Sequence, residues 1–509
     1  MRTAYSVETV RAAERELMAR LPEGALMQRA AAGLAVACAE LLGRVYGARV
    51  VLLVGSGDNG GDALYAGARL ARRGAGVTAV LLSPERAHRG GLAALRSAGG
   101  RVAQDAPRDL ARADLVVDGI VGIGGRGGLR PEAAQLARAA RESAPVLAVD
   151  LPSGVDADTG EVSGEAVRAD ATVTFGAYKP GLLTDPARER AGALRLVDIG
   201  LTLPPEAAME ALQHADVARL LPRPSAESDK YRRGVVGVVA GSARYPGAAV
   251  LAVAGALRGG AGAVRYVGPA ADAVLARFPE TLVHAGPPDK AGRVQAWVIG
   301  PGIGDESDAL EDVLASDVPV LVDADGLRFL TPRRVRERGA PTLLTPHAGE
   351  AAALLGRGRA EVEAARLASV RELARTFGAT VLLKGSTTLV AAAGGPVRVN
   401  PTGTGWLATA GSGDVLSGAT GSLLAAGLPA LDAGSVGAYL HGLAARRAAG
   451  REGAPILASE VAAHLDAAWR DVTGCQFSRE ALRPAGERGG HQGEPGVRRA
   501  CMTARPRHA

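Results

Sequence analysis

Short apolar runs rich in Val and Leu alternate along this chain with longer stretches of Ala, Arg and Leu. Continuous apolar runs are typical of strands buried on both faces of a parallel sheet, and the longer stretches are typical of helices. In the first half, such runs occupy residues 50–54, 77–82, 115–117, 146–149, 171–175 and 194–197. Regular alternation of strand and helix predicts a doubly wound α/β sheet.

A proline-rich stretch interrupts this pattern, and a second alternation follows it. Prolines cluster in Leu203-Pro204-Pro205 and in Leu221-Pro222-Arg223-Pro224, and prolines at this density break regular elements. New apolar runs then occupy residues 235–239, 263–267, 296–299, 318–322, 342–344, 380–383 and 388–391. The sequence therefore predicts two doubly wound α/β domains, residues 1–222 and 223–474, followed by a disordered basic tail at 475–509.

Composition limits how the core is built and which partners fit. Aromatic residues make up only 3% of the chain while Gly numbers 69, so Val, Leu and Ala carry the packing and elements are expected to approach closely. The net charge is +6, but residues 476–509 hold seven Arg against three Glu. The body of the chain therefore gives no reason to invoke nucleic acid. Cys38, Cys475 and Cys501 have no paired spacing, which argues against a disulfide framework and a zinc site.

The N-terminal segment has the composition of helix. The first 48 residues are predicted helical with a break at Pro22-Glu23-Gly24. Acidic residues near the start argue against a signal peptide, and no apolar stretch reaches the roughly 20 residues that span a bilayer. We expect a soluble cytoplasmic homo-oligomer with small-molecule partners and with neither nucleic-acid nor membrane partners.

The strongest local signal in the first half is Gly55-Ser56-Gly57-Asp58-Asn59-Gly60-Gly61-Asp62, directly after a predicted strand. A glycine-rich turn before a helix lets backbone N–H groups approach an anion. A tight turn capped by Asp and Asn is the alternative interpretation. The pattern fits neither the dinucleotide fingerprint nor the Walker loop.

Two further turns follow strands and carry an Asp at the strand end: one begins at Asp118 and the other at Asp150. In a doubly wound fold the carboxyl ends of strands meet at one crevice, so these carboxylates and Asn59 are expected to converge. Oxygen ligands without His or Cys suit a hard cation, and carbonyl-rich turns suit a monovalent ion. An Asp there could also move a proton, or could simply order its turn.

Residues 1–222 resemble the NAD(P)H-hydrate epimerase domain, with a Rossmann-like fold. The family's Asn-Asn-Gly-Gly-Asp turn appears here with Asp58 in place of the first Asn. Three more segments match in order: residues 118–128, 148–160 and 174–181. The resemblance implies epimerisation at C6 of hydrated NADH or NADPH and a potassium ion bound by Asn59, Asp118 and Ser153. Asp150 is the candidate acid/base. The implied hydrate contacts are Asp58, Asn59, Gly60, Gly61, Asp62, Gly122, Ile123, Gly124, Gly125, Arg126, Gly127, Gly128 and Asp150.

In the second half, Gly411-Ser412-Gly413-Asp414 precedes a predicted helix and Lys384-Gly385-Ser386-Thr387-Thr388 follows a predicted strand. Consecutive N–H groups at a helix N-terminus stabilise developing phosphate charge. Asp414 stands where it could take a hydroxyl proton, although an Asp also favours a first helical turn through the helix dipole. Together the two motifs indicate a nucleotide site of the ribokinase-like type.

Residues 223–470 resemble the ADP/ATP-dependent NAD(P)H-hydrate dehydratase domain, which has a ribokinase-like fold. Matching segments include Thr345-Pro346-His347-Ala348-Gly349-Glu350 and Asp323-Ala324-Asp325-Gly326-Leu327. The resemblance implies that Lys384, Gly385, Ser386, Thr387, Thr388 and Gly413 bind the adenylate. It also implies that Ala248, Gly302, His347 and Asp414 contact the hydrate.

The implied chemistry is phosphorylation of the C6 hydroxyl by ADP, with Asp414 as the base and Mg²⁺ accompanying ADP. Phosphate then leaves and the dihydronicotinamide is restored, so that AMP and phosphate are the by-products. Two rivals remain open at this point. One is a ribokinase-like kinase for a vitamin precursor, and the other is a binding protein whose first half has lost catalysis.

Overall fold

The computed structural model of the chain describes residues 1–305 and 308–480 and contains two sheets, one of seven and one of eleven strands. The chain opens with a short strand, β1 (Arg2–Ala4). The strands of the seven-stranded sheet then follow in sequence: β2 (Arg49–Val54), β3 (Gly76–Leu81), β4 (Arg101–Val102), β5 (Leu115–Gly119), β6 (Val146–Val149), β7 (Ala171–Phe175) and β8 (Ala193–Val197).

Every pairing in this first sheet is parallel. Its strand order is β4-β3-β2-β5-β6-β7-β8. The chain therefore moves outward from β2 in one direction and returns to continue in the other, as a doubly wound sheet does. The predicted fold class is confirmed for this half.

The second sheet contains the remaining strands: β9 (Met209–Ala211), β10 (Val235–Val239), β11 (Ala263–Val267), β12 (Leu282–His284), β13 (Ala296–Ile299), β14 (Val320–Val322), β15 (Thr342–Leu344), β16 (Thr380–Leu383), β17 (Thr388–Ala391) and β18 (Val397–Asn400). Its order is β1-β9-β18-β17-β16-β15-β14-β13-β10-β11-β12. The block from β12 to β16 is parallel, whereas β16, β17 and β18 pair antiparallel. The α/β class is confirmed here as well.

Helices cover the faces of both sheets. They are α1 (Val7–Met18), α2 (Ala25–Leu42), α3 (Asp58–Arg72), α4 (Arg89–Ser97), α5 (Ala106–Leu110), α6 (Pro131–Ser143), α7 (Arg188–Ala191), α8 (His214–Leu220), α9 (Lys230–Arg233), α10 (Pro246–Arg258), α11 (Ala271–Arg277), α12 (Asp308–Ala315), α13 (Pro332–Arg336), α14 (Ala348–Leu355), α15 (Arg359–Ala364), α16 (Arg366–Phe377), α17 (Ser412–Ala425), α18 (Ala430–Ala449), α19 (Ala458–Ala463) and α20 (Leu465–Glu480).

The two sheets divide the chain at a different place from the predicted boundary at residue 222. The last strand of the first sheet, β8, ends at Val197, whereas β9 begins at Met209 and belongs to the second sheet. Helix α8 also packs into the core of the second half through the fully buried Val217. The linker is thus the segment around Leu203-Pro204-Pro205, because residues 209–221 carry apolar side chains that the second core buries.

The first strand crosses from one half to the other. β1 lies in the second sheet, antiparallel to β9, with Ala4 opposite Met209. Both of these side chains are fully buried in the core of the second half. The predicted all-helical N-terminus is therefore wrong at its first residues, because a three-residue strand is too short to show a period of its own.

Helices α10 and α17 show how an aromatic-poor core is packed. A Cβ added to Gly418 would lie 1.9 Å from the carbonyl oxygen of Ala252, and one added to Gly255 would lie 2.2 Å from that of Val415. The two backbones are in contact only because these positions lack side chains. The close approach of elements expected from composition is confirmed.

Two features near the ends complete the description. Helix α20 continues to Glu480, so the first six residues of the predicted tail are helical, and the rest of that prediction lies outside the described residues. Among the residues described, one helix, Ala25–Leu42, is long and apolar enough to cross a membrane by length and composition alone. One side of it, including Ala31, Leu34 and Cys38, is buried against the first sheet.

Candidate functional sites

The glycine-rich segment of the first half forms the first turn of α3, immediately after β2. Gly57 is the residue before the helix, and Asp58–Asp62 lie within its first turn. The turn approaches the segment after β5 very closely, since a Cβ on Gly55 would lie 1.8 Å from the carbonyl oxygen of Ile120. The predicted convergence of the turns after neighbouring strands is confirmed here.

Asn59 is oriented by a hydrogen bond to the segment that carries Asp150. Its Nδ2 donates to the carbonyl oxygen of Val149 at 2.7 Å. Its Oδ1 therefore faces the opposite way, toward Gly122, where an added Cβ would lie only 2.6 Å from it. Gly122 leaves room for an amide oxygen that is free to bind a ligand.

Asp118 and Ser153 form a buried pair beside Asn59. The backbone N–H of Ser153 donates to Asp118 Oδ2 at 2.8 Å, and the hydroxyl of Ser153 donates to Asp118 Oδ1 at 2.7 Å. Both residues are fully buried. Burial raises the pKa of Asp118 to about 6, although the hydrogen bonds from Ser153 oppose the shift. Among the described residues, the groups that donate to this carboxylate are all neutral, and no cationic side chain pairs with it.

The chemistry of these donors fits a monovalent cation. Asn59, Asp118 and Ser153 offer amide, carboxylate and hydroxyl oxygens and a single negative charge. In the described part of the chain, no three His, Cys, Asp or Glu side chains form a group that could hold a metal ion. A hard, singly charged ion held by mostly neutral oxygens is what such a set suits.

Asp150 is held by a buried lysine. Lys179 Nζ lies 2.5 Å from Asp150 Oδ1, and Lys179 is only 1% exposed. Thr174 Oγ1 and the N–H of Phe175 donate to the same oxygen at 3.0 and 3.3 Å. All three donors converge on Oδ1, and none of the three contacts Oδ2.

A cluster of further carboxylates surrounds this pair. Burial, with like charge from Asp150 and Asp58, holds the pKa of Asp62 well above its ordinary value. Burial also raises the pKa of Glu14, against the opposing effect of Lys179. Within the described residues, the buried Oδ1 of Asp62 has no hydrogen-bond partner. This atom is an acceptor that a bound molecule could satisfy.

A cavity of about 890 Å³ opens onto these groups. Glu14, Asp58 and Asp62 line it together with Tyr65 and His88. Its size is in the range of small-molecule sites. The lining of this cavity includes neither Asp150 nor any residue of the segment after β5. In that segment Arg126 is exposed and Gly128 packs against Gly164. The structure therefore places Asp58–Asp62, Gly122 and Asp150 together more closely than it does residues 124–128.

In the second half, Asp414 lies in the first turn of α17, and its carboxyl is shifted toward neutrality. Burial raises its pKa to about 7, and the charge of Asp323 adds to the shift while Lys384 opposes it. A buried histidine is hydrogen-bonded to this turn: His441 Nε2 donates to the carbonyl oxygen of Ser412 at 2.9 Å. Burial lowers the pKa of His441 to about 4, so it is neutral.

Lys384 connects the two predicted nucleotide motifs. Its Nζ lies 2.7 Å from Asp323 Oδ1 and 3.8 Å from Glu350 Oε2. An added Cβ on Gly413 would be 3.4 Å from the same Nζ. Burial alone would lower the pKa of Lys384, but the charges of Asp323 and Glu350 raise it, so the ammonium is retained beside the glycine turn.

The predicted hydrate contacts of this half fall into two groups. Gly302 has a φ of 66°, and a Cβ there would lie 2.6 Å from that of Ala248, so these two residues are adjacent. His347 instead caps α14, where its Nδ1 accepts from the N–H groups of Gly349 and Glu350 at 3.0 and 3.1 Å. Its side chain is 57% exposed, and its Nε2 lies 3.4 Å from Glu350 Oε1.

Backbone strain marks both sites. Among the described residues, the two non-glycine residues with φ in the left-handed region are Asp150, at 65°, and Ala324, at 48°. Ala324 follows Asp323. Such conformations cost about 1–3 kcal/mol and persist where the surroundings enforce them, often at functional sites. In the first half the strained residue is the buried aspartate that pairs with Lys179, and in the second half it directly follows the buried aspartate that pairs with Lys384.

Several residues of the two sites were not predicted as site residues from the sequence. Lys179, Asp323 and Glu350 lie inside matched motifs, but nothing in the pattern showed that they would meet Asp150 or Lys384. Glu14 belongs to α1, far from the other motifs in sequence. Asp185, from the first half, contacts the Lys384–Thr388 loop of the second. For Asp185, the available signal in the sequence was an acidic residue in an otherwise apolar segment.

Comparison with known proteins gives a consistent assignment for both halves. The family model for NAD(P)H-hydrate dehydratase matches residues 236–466. The family model for the YjeF-related protein N-terminus matches residues 23–181. A crystal structure of ADP/ATP-dependent NAD(P)H-hydrate dehydratase from Bacillus subtilis is 30% identical over 51% of this chain and 97% of that one, with a TM-score of 0.47.

Relatives that span both halves are much more similar. The bifunctional NAD(P)H-hydrate repair enzyme Nnr of Mycobacterium leprae is 51% identical over 479 residues, which is 91% of this chain and 98% of that protein. The enzyme of the same name from Mycobacterium tuberculosis is 52% identical over 85% of this chain and 91% of that protein. On this evidence, the chain belongs to the family of bifunctional NAD(P)H-hydrate repair enzymes.

Proposed function

We propose that this chain repairs hydrated NADH and NADPH in two steps, each at its own site. The first half interconverts the R and S hydrates at C6, and the second half dehydrates the S form at the expense of ADP. The observation that carries the proposal is the presence of two separate acidic sites, each with a buried lysine, one in each half of the chain. Relatives that span both halves are named bifunctional. The vitamin-kinase alternative leaves the first site unexplained.

For epimerisation, Asp150 is the acid/base. The hydrate is a hemiaminal, so its C6–O bond can break to lose the stereocentre and re-form on either face. Asp150 Oδ2 would give a proton to the departing hydroxyl and take one from the returning water. Lys179 holds Oδ1 and keeps the carboxylate oriented. The hydrate would occupy the cavity beside Asp58–Asp62, where Asp62 Oδ1 is available to it.

We assign a potassium site to Asn59, Asp118 and Ser153. The donor chemistry and the buried, unpaired charge of Asp118 support this assignment. A bound K⁺ would neutralise that charge. Asn59 would present Oδ1 to the ion while its Nδ2 holds the carbonyl of Val149, next to Asp150. The three residues would thereby tie the turns after β2, β5 and β6 together.

For dehydration, Asp414 is the base that takes the proton of the C6 hydroxyl. The hydroxyl oxygen attacks the β-phosphorus of ADP and AMP leaves. Phosphate then departs from C6 as the ring nitrogen donates its electron pair, and loss of a proton from C5 restores the dihydronicotinamide. Lys384 and the N–H groups of the Gly411–Asp414 turn face the transferred phosphoryl group. Mg²⁺ would enter with ADP and offset phosphate charge.

Other predicted contacts fill out this site. Gly385, Ser386, Thr387 and Thr388 would contact the adenylate, and Ala248, Gly302 and His347 would contact the hydrate. The exposed side chain of His347 and the adjacent Gly302 and Ala248 support the second assignment. The discriminating experiment supplies the purified chain with mixed R and S hydrate and follows absorbance at 340 nm. Complete recovery with ADP and Mg²⁺, and none without nucleotide, is expected, whereas a stable phosphorylated product would favour a kinase.

We also propose that the enzyme is a cytoplasmic homo-oligomer. Apolar side chains are exposed on α2 and on the edge strand β8, which α2 contacts: Val36 is 46% and Leu196 40% exposed. A second copy covering this surface would bury them. Sedimentation of the wild-type chain and of Leu196→Lys checks the proposal. A wild-type monomer would contradict it.

A further inference from the structure

The loop between β16 and β17 is held by a carboxylate from the other half of the chain. Asp185 Oδ2 accepts hydrogen bonds from the hydroxyl of Ser386 at 2.6 Å and from the hydroxyl of Thr387 at 2.8 Å. It also accepts from the backbone N–H of Thr387 at 2.8 Å. In return, the N–H of Asp185 donates to Thr387 Oγ1 at 3.3 Å. Asp185 follows β7 and lies in the first half.

A buried guanidinium holds the same loop from its opposite side. Arg366 donates through one terminal nitrogen to the carbonyl oxygens of Lys384 and Thr387, both at 3.0 Å. A Cβ on Gly385 would lie 2.3 Å from that nitrogen. The loop therefore needs glycine at this position in order to lie against the arginine.

The two holding groups are buried and of opposite charge. Asp185 is 5% and Arg366 6% exposed. Burial lowers the pKa of Arg366, and the charge of Asp185 partly offsets that effect. Asp185 accepts hydrogen bonds from the loop as an anion, and Arg366 donates to it as a cation. Because one partner in each bond is charged, these hydrogen bonds are stronger than neutral ones. The loop is consequently held in one arrangement from two sides.

We propose that Asp185 is a positioning residue through which the first half sets the conformation of the nucleotide loop in the second. The inference rests on the proposed function of Lys384–Thr388 as the adenylate-binding loop. Asp185 acts through Ser386 and Thr387. Its removal would free the N–H of Thr387 and both hydroxyls, so that the loop would have to be ordered by the nucleotide itself. Ordering at that moment weakens binding and leaves the chemical step unaltered.

The test compares Asp185→Ala, Asp185→Asn and Glu189→Ala in the full chain. Glu189 lies on the same segment but is exposed, so its variant controls for loss of a nearby carboxylate. In Asp185→Ala, the Michaelis constant for ADP and the dissociation constant for AMP should both rise by roughly tenfold, while kcat for dehydration and the epimerisation rate stay near wild type. Asp185→Asn keeps one oxygen acceptor and should show a smaller rise.

Two outcomes would contradict the inference. An unchanged Michaelis constant in Asp185→Ala would show that the contact has no part in nucleotide binding. Tighter binding of AMP would show that the carboxylate blocks the loop. If Asp185→Ala does not fold, Asp185→Asn at wild-type melting temperature decides between the same results. A wild-type chain without ADP-dependent dehydration would instead overturn the proposed function, and AMP binding by the variants would still test the positioning role.

Discussion

At the scale of single residues, each site places one buried lysine among several acids. Lys179 meets Asp150 and influences Glu14, while Lys384 meets Asp323 and Glu350. Burial and the charge of neighbouring carboxylates raise the pKa of Glu14 and Asp62 in the first site and of Asp414 in the second. Acids poised in this way exchange protons close to neutral pH, which general acid–base chemistry requires.

The first prediction concerns Lys179. Lys179→Met removes the cation that orients Asp150 and leaves a buried carboxylate unpaired, which typically costs about 3–5 kcal/mol of stability. Asp150 would then lose the group that orients it, so epimerisation should fall by roughly 10²–10⁴. Thermal denaturation and chromatographic separation of the R and S hydrates measure the two effects.

A double variant separates stability from activity at this pair. Asp150→Asn combined with Lys179→Met leaves no unpaired charge, and replacing both members of a buried pair is often nearly neutral for stability. We expect a melting temperature above that of Lys179→Met and still no epimerisation. Wild-type epimerisation in either variant would exclude the pair from the reaction.

The second prediction concerns pH. The pKa of Asp414 is raised to about 7, first by burial and then by Asp323. The base form is therefore lost as pH falls through about 7, and kcat/KM for dehydration should drop about tenfold per pH unit below it. Asp325 adds to the shift, so Asp325→Asn should move this limb of the profile to lower pH. A pH-independent rate between pH 5.5 and 8.5 would rule out Asp414 as the base.

At the scale of elements, close contact between helices replaces bulky side chains. Gly255 and Gly418 allow α10 and α17 to touch through their backbones. These two helices lie next to the turn that carries Asp414, since α17 begins at Ser412. The position of Asp414 thus depends on small residues within about one helical turn of it.

The third prediction tests this packing. Gly418→Ala would bring a Cβ within 1.9 Å of the carbonyl oxygen of Ala252. Forcing the helices apart typically costs about 1–3 kcal/mol, so the free energy of unfolding should fall by that amount. Gly247→Ala is the matched control, because a Cβ there meets nothing within 4 Å. Equal stabilities by chemical denaturation would show that the helices adjust freely.

The central strands were predictable and the edge strands were not. The runs at 146–149, 235–239 and 296–299 match β6, β10 and β13 in full, because strands buried on both faces are continuous in apolar residues. Short edge strands such as β4 (Arg101–Val102) and β12 (Leu282–His284) contain charged or polar residues and depend on a distant partner. The local sequence of an edge strand does not indicate which strand it pairs with.

At the scale of the whole molecule, the two halves are joined by more than a linker. β1 adds to the second sheet beside β9, and the N–H of Tyr5 donates to the carbonyl of Tyr178 in the first half at 2.9 Å. Asp185 adds the contact with the nucleotide loop. The turns that carry Asn59, Asp118 and Asp150 could be predicted because they follow strands, whereas contacts between halves could not, because no local pattern specifies them.

The fourth prediction tests the role of β1. Ala4 is fully buried in the core of the second half. Ala4→Asp would therefore bury an unpaired charge and should lower the melting temperature of the chain markedly. Ala12→Asp makes the same change at an exposed position of α1 and should cost no more than about 0.7 kcal/mol. Equal melting temperatures for the two variants would show that the first strand adds nothing to the second half.

The division of labour between the two sites is tested most directly by Asp414→Asn in the full chain, assayed for both reactions. Loss of one general base should lower ADP-dependent dehydration of the S hydrate by roughly 10²–10⁴. Epimerisation should stay near wild type, because Asp150 and Lys179 lie on the other sheet. Near-wild-type recovery of absorbance at 340 nm, or a parallel loss of both reactions in a variant of unchanged melting temperature, would contradict the account.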